Sequence, residues 1–401
     1  MMNRQLARAK DTEDILKLVA ESHEEMSPVN IATANHRLAV INKRKRASRD
    51  RLLRDKRFAL LEDAIEANAA DFGARSVADM LWSSATLQHW PPRLLKPVLT
   101  GVATQLSANT FEAQHLSTMT WALAKLTTKP TRLLEQFEEQ ALTKLDGLNM
   151  QNCANLLWGF ATLRYQPREE LALLPKLAAS MLARGIVADA KPVEVSDLMS
   201  ALARLCTPEQ LPRDLFLALA ARAAPDAENS VLERFSSRQL VVLASATATL
   251  GVAEQLPEGL LDAWLARVRT AHQATPLLVG DAKELETTLG VLGLDATWVQ
   301  RSEMLNVWTD LAAGGAVRAK RSYTDEELRA AFDAIDTDGS GDIDQAELLA
   351  AFREVNPEAA SADVEQMLDF GDADGDREVS FDEFKQIMNT AKVKAKATQA
   401  A

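Results

Sequence analysis

Two stretches of twelve residues, starting at Asp336 and Asp372 and 36 apart, repeat one pattern of oxygen-bearing side chains. The first carries Asp336, Asp338, Ser340, Asp344 and Glu347 at positions 1, 3, 5, 9 and 12. The second carries Asp372, Asp374, Asp376, Ser380 and Glu383 at the same positions. Ca²⁺ is a hard ion that takes six to eight oxygens, and this spacing wraps them round one point. Asp342 and Glu378, at position 7, are expected to offer backbone carbonyls, while Glu347 and Glu383 are expected to be bidentate and to pull the following helix toward the ion. Position 6 must make a sharp turn at positive φ. Gly341 suits it, but Arg377 stands there in the second loop. A β-carbon in the left-handed region costs roughly 1–2 kcal/mol, and 1.4 kcal/mol is about tenfold in affinity, so the second loop is expected to bind more weakly.

Helices must hold such loops. Thr324 and Glu327 have capping-box spacing, and Leu328, Phe332 and Ile335 share one face ahead of the first loop. Leu348, Phe352, Met367, Phe370, Phe381, Phe384 and Met388 supply the rest of a small core, and Ile343 and Val379, both at position 8, are expected to pair across the loops. Residues 323–389 resemble a paired EF-hand domain, which implies calcium as the bound ion. The competing reading is an acidic helical pair that binds no metal.

The charge distribution sets this module apart. The 401-residue chain has formal net charge −12, and 47% of its residues are hydrophobic, a folded composition. Residues 322–389 hold 20 acidic and 4 basic side chains, whereas the first 321 residues hold 38 basic and 37 acidic ones. The overall acidity therefore says nothing about partners of the longer part. No apolar run is long enough for a transmembrane helix, and Met1–Lys10 lacks the apolar stretch of a secretory signal, so an intracellular protein is expected. Two cysteines, Cys153 and Cys206, make no disulfide framework; they read as buried small hydrophobes.

The longer part repeats itself every 40 residues or so. The unit is an anchor residue, two spacers, then Ala-x-Leu: Trp82 with Ala85 and Leu87, Trp121 with Ala124 and Leu126, Trp158 with Ala161 and Leu163. Weaker copies start at His36, Ser200, Ser245 and Leu289. Prolines follow nine residues after each Trp, at Pro91, Pro130 and Pro167, and are expected to open a second helix. Apolar residues recur at helical intervals in both halves, and no alternating β pattern appears before Ala316. The expected fold is all-α. It comprises a helical lead-in over 1–28, an α-solenoid of six or seven helical hairpins over 29–313, a linker over 314–322, the calcium-binding pair over 323–389 and a flexible basic tail over 390–401.

The segments Val29–Ala39 and Asn155–Leu163 resemble octotricopeptide-type repeats and the helical repeats of FAST-kinase-like and RAP-domain proteins. The resemblance implies RNA binding on the concave face, in chloroplasts or mitochondria. The three repeat tryptophans read as buried packing anchors, since a stripe at helical spacing normally marks the core face. RNA contacts are then expected from neighbouring polar residues, namely Gln114, Asn152, Asn155 and Arg238. A basic run over 43–57, with nine Lys and Arg against Asp50 and Asp55, could neutralise phosphates, serve as a localisation signal or form a solvated helix face.

No catalytic motif is present. His23, His36, His89, His115 and His272 lack metal-ligand spacing, and the chain has no P-loop and no GxSxG. The sequence reads as a non-enzymatic, calcium-responsive RNA-binding protein, or else as a calcium-controlled protein scaffold that never meets RNA. A groove in the calcium-binding pair could grip the apolar helix around Trp298, Leu305 and Trp308; otherwise the pair is an independent module on a Gly-Gly hinge.

Overall fold

Small residues let the repeat helices approach closely. In a computed structural model a β-carbon added to Gly159 would stand 2.6 Å from Thr120 Cγ2 and 2.9 Å from the Thr120 carbonyl oxygen, so only glycine fits this crossing. The structure describes residues 2–225, 232–274, 277–313, 323–355 and 359–400; of 271–274, 279, 310, 354–355 and 391–400 the backbone alone is described. The chain divides into two units, Met1–Glu233 and Arg234–Ala401.

The first unit consists of α1 (Met2–Arg8), α2 (Thr12–Ser22), α3 (Pro28–Asn42), α4 (Arg46–Leu53), α5 (Lys56–Ala67), α6 (Ala74–Leu87), α7 (Pro92–Ser107), α8 (Ala113–Lys125), α9 (Thr131–Leu142), α10 (Met150–Thr162), α11 (Leu173–Ala183), α12 (Pro192–Leu205) and α13 (Arg213–Ala221). These form two layers. Helices α1, α3, α6, α8, α10 and α12 pack in that order, and α2, α5, α7, α9, α11 and α13 pack in order behind them. Each helix buries its apolar face on the preceding and following hairpins, the arrangement of an α-solenoid.

One stop signal recurs. Six residues after the anchor the backbone turns left-handed, at Gln88 (φ 52°), Thr127 (φ 51°), Arg164 (φ 51°) and Gly251 (φ 63°). At Arg164 the amide donates to the Ala161 carbonyl, and the next amide, of Tyr165, donates back to Phe160. The other three sites make the same pair of bonds, which satisfies the last carbonyls of each helix. The prolines act less uniformly than expected. Pro91 and Pro130 are N-caps of α7 and α9, but Pro167 precedes a 3₁₀ turn at Glu169–Leu171, and α11 starts only at Leu173.

The second unit consists of α14 (Ser237–Leu250), α15 (Leu260–Ala274), α16 (Val279–Val291), α17 (Thr297–Ala312), α18 (Asp325–Asp333), β1 (Asp342–Ile343), α19 (Gln345–Val355), α20 (Ser361–Gly371), β2 (Val379–Ser380) and α21 (Phe381–Ala400). Helix α14 packs on α15 and α16, and α16 packs on α17. In α16 the left-handed stop is Gly293, so by the six-residue rule the anchor is Thr287, with Gly290 and Leu292 in the Ala and Leu places. The expected start at Leu289 falls two residues after Thr287, on a fully buried residue.

Helix α17 joins the small core of the two-loop segment that follows it. Met304, Leu305, Val307, Trp308 and Leu311 form one buried cluster with Leu328, Phe332, Ile343, Leu348, Met367 and Phe384. Phe370, expected in that core, is 40% exposed. The expected linker, 314–322, lies outside the described residues. Helix α21 continues to Ala400, so the backbone of 390–400 is helical rather than a separate tail.

Candidate metal centre

The N-terminal frame is set by Thr324, whose side chain accepts from the Glu327 amide while Glu327 Oε2 accepts from the Thr324 amide at 2.8 Å. Leu328 and Phe332 of α18 are buried ahead of the loop that begins at Asp336. The two loops meet at an antiparallel pair, with Asp342 opposite Ser380 and Ile343 opposite Val379, as the shared position 8 predicts.

Carboxylates converge in each loop. One oxygen each from Asp336, Asp338 and Glu347 lies within 4.8 Å of the others, and the same holds for Asp372, Asp374 and Glu383. Backbone amides hold them in place. Asp336 Oδ2 accepts from Gly341 at 2.9 Å, and Asp372 Oδ2 accepts from Arg377 at 2.8 Å. Glu347 Oε1 accepts from the Thr337 amide at 2.7 Å, and Glu383 Oε1 accepts from the Ala373 amide at 2.7 Å. Both position-12 glutamates thus lie folded in over their own loops. Clustered hard oxygens of this kind suit Ca²⁺.

The remaining expected ligands take up turn and cap duties. Ser340 Oγ donates to the Asp342 carbonyl at 2.9 Å, Asp344 Oδ1 caps α19 through the Glu347 amide at 2.7 Å, and Asp376 Oδ1 accepts from the Glu378 amide at 2.9 Å. Ser380 Oγ donates to Glu383 Oε2 at 2.7 Å.

Position 6 behaves alike in both loops. Gly341 has φ 96° and Arg377 has φ 70°. The arginine accepts the left-handed strain and keeps the amide bond to the first ligand. That bond, followed by the amides of Gly375 and Asp376, holds the Asp372 carboxyl below the usual range. At Asp374 the Asp376 amide acts in the same direction, but the surrounding carboxylates of Asp376, Glu383 and Asp372 outweigh it and push the group up. This mutual repulsion is what a divalent ion relieves.

The repeat layer carries a second candidate surface, and here the tryptophans depart from expectation. Trp82, Trp121 and Trp158 are half-buried, whereas the residues one and two places after each are buried. Each therefore lies at the edge of the buried side of its helix. The His36 ring lies 4.9 Å from that of Trp82, and Lys125 Nζ stands 4.8 Å from the Trp158 ring centre and 5.8 Å from that of Trp121. Gln114 is exposed and Asn155 half-buried. Asn152 is buried and closes a reciprocal cap with Asn149, and Arg238 is paired with Asp281 and Glu284, so neither is a free recognition group. In the basic run Lys43, Arg44, Lys45, Arg46, Arg51, Arg54 and Lys56 are exposed, while Arg57 is tied to Glu13 and Asp55. Among the described residues, no helix is long and apolar enough to cross a membrane.

Comparison with known proteins places the calcium chemistry. Residues 325–389 match the family described as EF-hand domain pair. Similar proteins include the probable calcium-binding protein CML20 of Arabidopsis thaliana, 39% identical over 74 residues, which are 18% of this chain and 43% of that protein. Calmodulin-like protein 6 of Homo sapiens is 30% identical over 119 residues, 26% of this chain and 64% of that protein. Centrin-1 of Homo sapiens is 38% identical over 73 residues, 18% and 42% respectively. The chain spans less than half the length of the first of these relatives. Sequence, loop geometry and relatives agree that the C-terminal part of this all-α chain is a calcium-binding EF-hand pair.

Proposed function

We propose that this protein is a calcium-responsive RNA-binding protein whose helical repeats take single-stranded RNA on the face that carries the tryptophans. The observation behind this reading is the row of half-buried rings, one per repeat, at Trp82, Trp121 and Trp158. Buried packing anchors need no free face. Rings that keep one, beside Gln114, Asn155 and Lys125, suit base stacking with hydrogen bonds and a cation nearby. Helical repeats that read RNA commonly take one base per repeat. The exposed basic residues over 43–56 add phosphate-neutralising charge.

The reading is non-catalytic. Burial pushes the Cys153 thiol up to about 12 and that of Cys206 to about 11, the opposite of what activates a nucleophile. An organellar compartment belongs to the same proposal and rests on the repeat resemblance. A second reading, a calcium-controlled scaffold for a protein partner, draws on the nearly balanced charge of residues 1–321. Binding of the 401-residue chain to single-stranded and duplex RNA across a salt series separates the two. Single-stranded RNA is expected to be retained, with loss of about 1–3 kcal/mol when Trp121 or Trp158 becomes alanine. Absence of retention even at low salt would leave the protein-partner reading standing.

A further inference from the structure

Helix α17 is buried on more than one side. At 100° per residue, the members of the EF-hand cluster on this helix, Met304, Leu305, Val307, Trp308 and Leu311, cover an arc of about 160°. Val299 and Trp298 lie beyond that arc and are also buried, with Arg269 of α15 placed 4.6 Å from the Trp298 ring centre. A helix with buried apolar side chains on two sides needs partners on two faces. Here α16 is one and the EF-hand pair is the other.

Trp308 is fully buried and touches the two residues that bracket the second calcium loop. Gly371 immediately precedes the first ligand, Asp372, and a β-carbon added there would stand 2.9 Å from Trp308 Cζ2. Phe384 immediately follows the last ligand, Glu383, and its ring meets that of Trp308 edge-on at 5.8 Å. Trp308 Nε1 also donates to the Met367 carbonyl at 2.8 Å, in the helix that enters this loop. The indole therefore spans the entering and exiting helices of the second loop. Their mutual angle is what calcium changes in sensor EF-hands. Arg301 of α17 also donates to the carbonyl of Ala334 at 3.0 Å, the cap of the helix that enters the first loop.

We infer that α17 is the resident target helix of the EF-hand pair, and that Trp308 couples its seating to calcium binding in the second loop. The pair then caps the last helical hairpin of its unit, and loading of the loop that carries Arg377 at position 6 depends on the seated helix. Coupling is reciprocal: what α17 adds to calcium affinity, calcium adds to α17 retention. The inference does not depend on RNA binding, and its test contains no RNA.

The experiment is calcium calorimetry on the 401-residue chain, combined with hydrogen exchange over 297–312 in excess calcium and in chelator. Wild-type protein is expected to gain protection across Met304–Leu311 on loading. Trp308→Ala is expected to weaken one of two sites by about tenfold, within the usual range for coupled sites, and to leave the other within about threefold. The weakened site should be the one removed by Glu383→Gln. Trp308→Phe, which keeps a ring but not the N–H, and Gly371→Ala should weaken the same site by a few-fold, and they carry the test if the alanine variant does not fold. Unchanged affinity at the second site in these two milder variants, or calcium-dependent protection confined to 323–389, overturns the inference.

Discussion

The repeat array and the EF-hand pair solve opposite problems. In the array, exposed positions are spread over hairpins far apart in sequence, so residues near the anchor decide packing and exposure together. In the pair, each loop gathers its ligands within twelve consecutive residues, and helices only orient what the loop already holds. The lesson lies in position-by-position roles. A repeat position can be structural on one edge and free on the other, whereas a loop position is tied to one ion.

The largest expected effect tests that division inside one helix. Phe160 is fully buried while Trp158, two residues earlier, is half-buried. Phe160→Ala should cost about 3–5 kcal/mol in denaturant unfolding. Trp158→Ala should cost only about 1–2 kcal/mol, since a partly exposed ring has less burial energy to lose than a fully buried one. Equal costs would restore the tryptophans to the core and remove the main support for a stacking face.

Legibility followed the same division. The loops, their antiparallel pairing at Ile343 and Val379, and the cap at Thr324 were readable because each depends on a few adjacent residues. The two-layer array was readable from period and proline, but the side each Trp takes was not. On a helical wheel Trp82 lies about 60° from Ala85 on one side and about 40° from Thr86 on the other, so it sits on a boundary. The signal that could have resolved it was the polar residue three before each anchor: Asp79, Thr118, Asn155 and Asp197. The left-handed helix ends were hidden because Gln88, Thr127 and Arg164 occupy a place where glycine is the usual marker. The seating of α17 was foreseeable from its apolar residues; the bracketing of the second loop by Trp308 needed three dimensions.

Next in size come the loops themselves. Glu347→Gln should lower affinity at the first site by about 100-fold, because ligand charge count moves EF-hand dissociation constants over several decades. Glu383→Gln should remove the weaker of the two sites; loss of the tighter one would reverse their ranking. Arg377→Gly should tighten the second site by up to about tenfold through relief of left-handed strain. An unchanged constant would mean that the surrounding packing, with Trp308 across both ends of that loop, already compensates for the arginine.

The smallest expected effect returns to the repeat face. Burial pushes the Asp197 carboxyl up to about 6, against the opposing pull of Lys125 and Arg204. A carboxyl raised in the folded state binds more protons there than in the unfolded chain between its ordinary value and about 6. Stability therefore falls as pH rises through that window and stays lower above it. The full shift corresponds to roughly 3 kcal/mol, but Asp197 is only half-buried and solvent screens it, so about 1 kcal/mol is expected. Asp197→Asn should be more stable than wild type by that amount at pH 7.5 and indistinguishable from it at pH 4, as read by urea unfolding at both values. The same carboxylate lies on the helix layer proposed to meet RNA, where negative charge opposes phosphate. Asp197→Asn should therefore also strengthen RNA retention at pH 7.5 and leave it unchanged near pH 5. A stability gain without an RNA gain would place the RNA path away from α12, toward the three tryptophans.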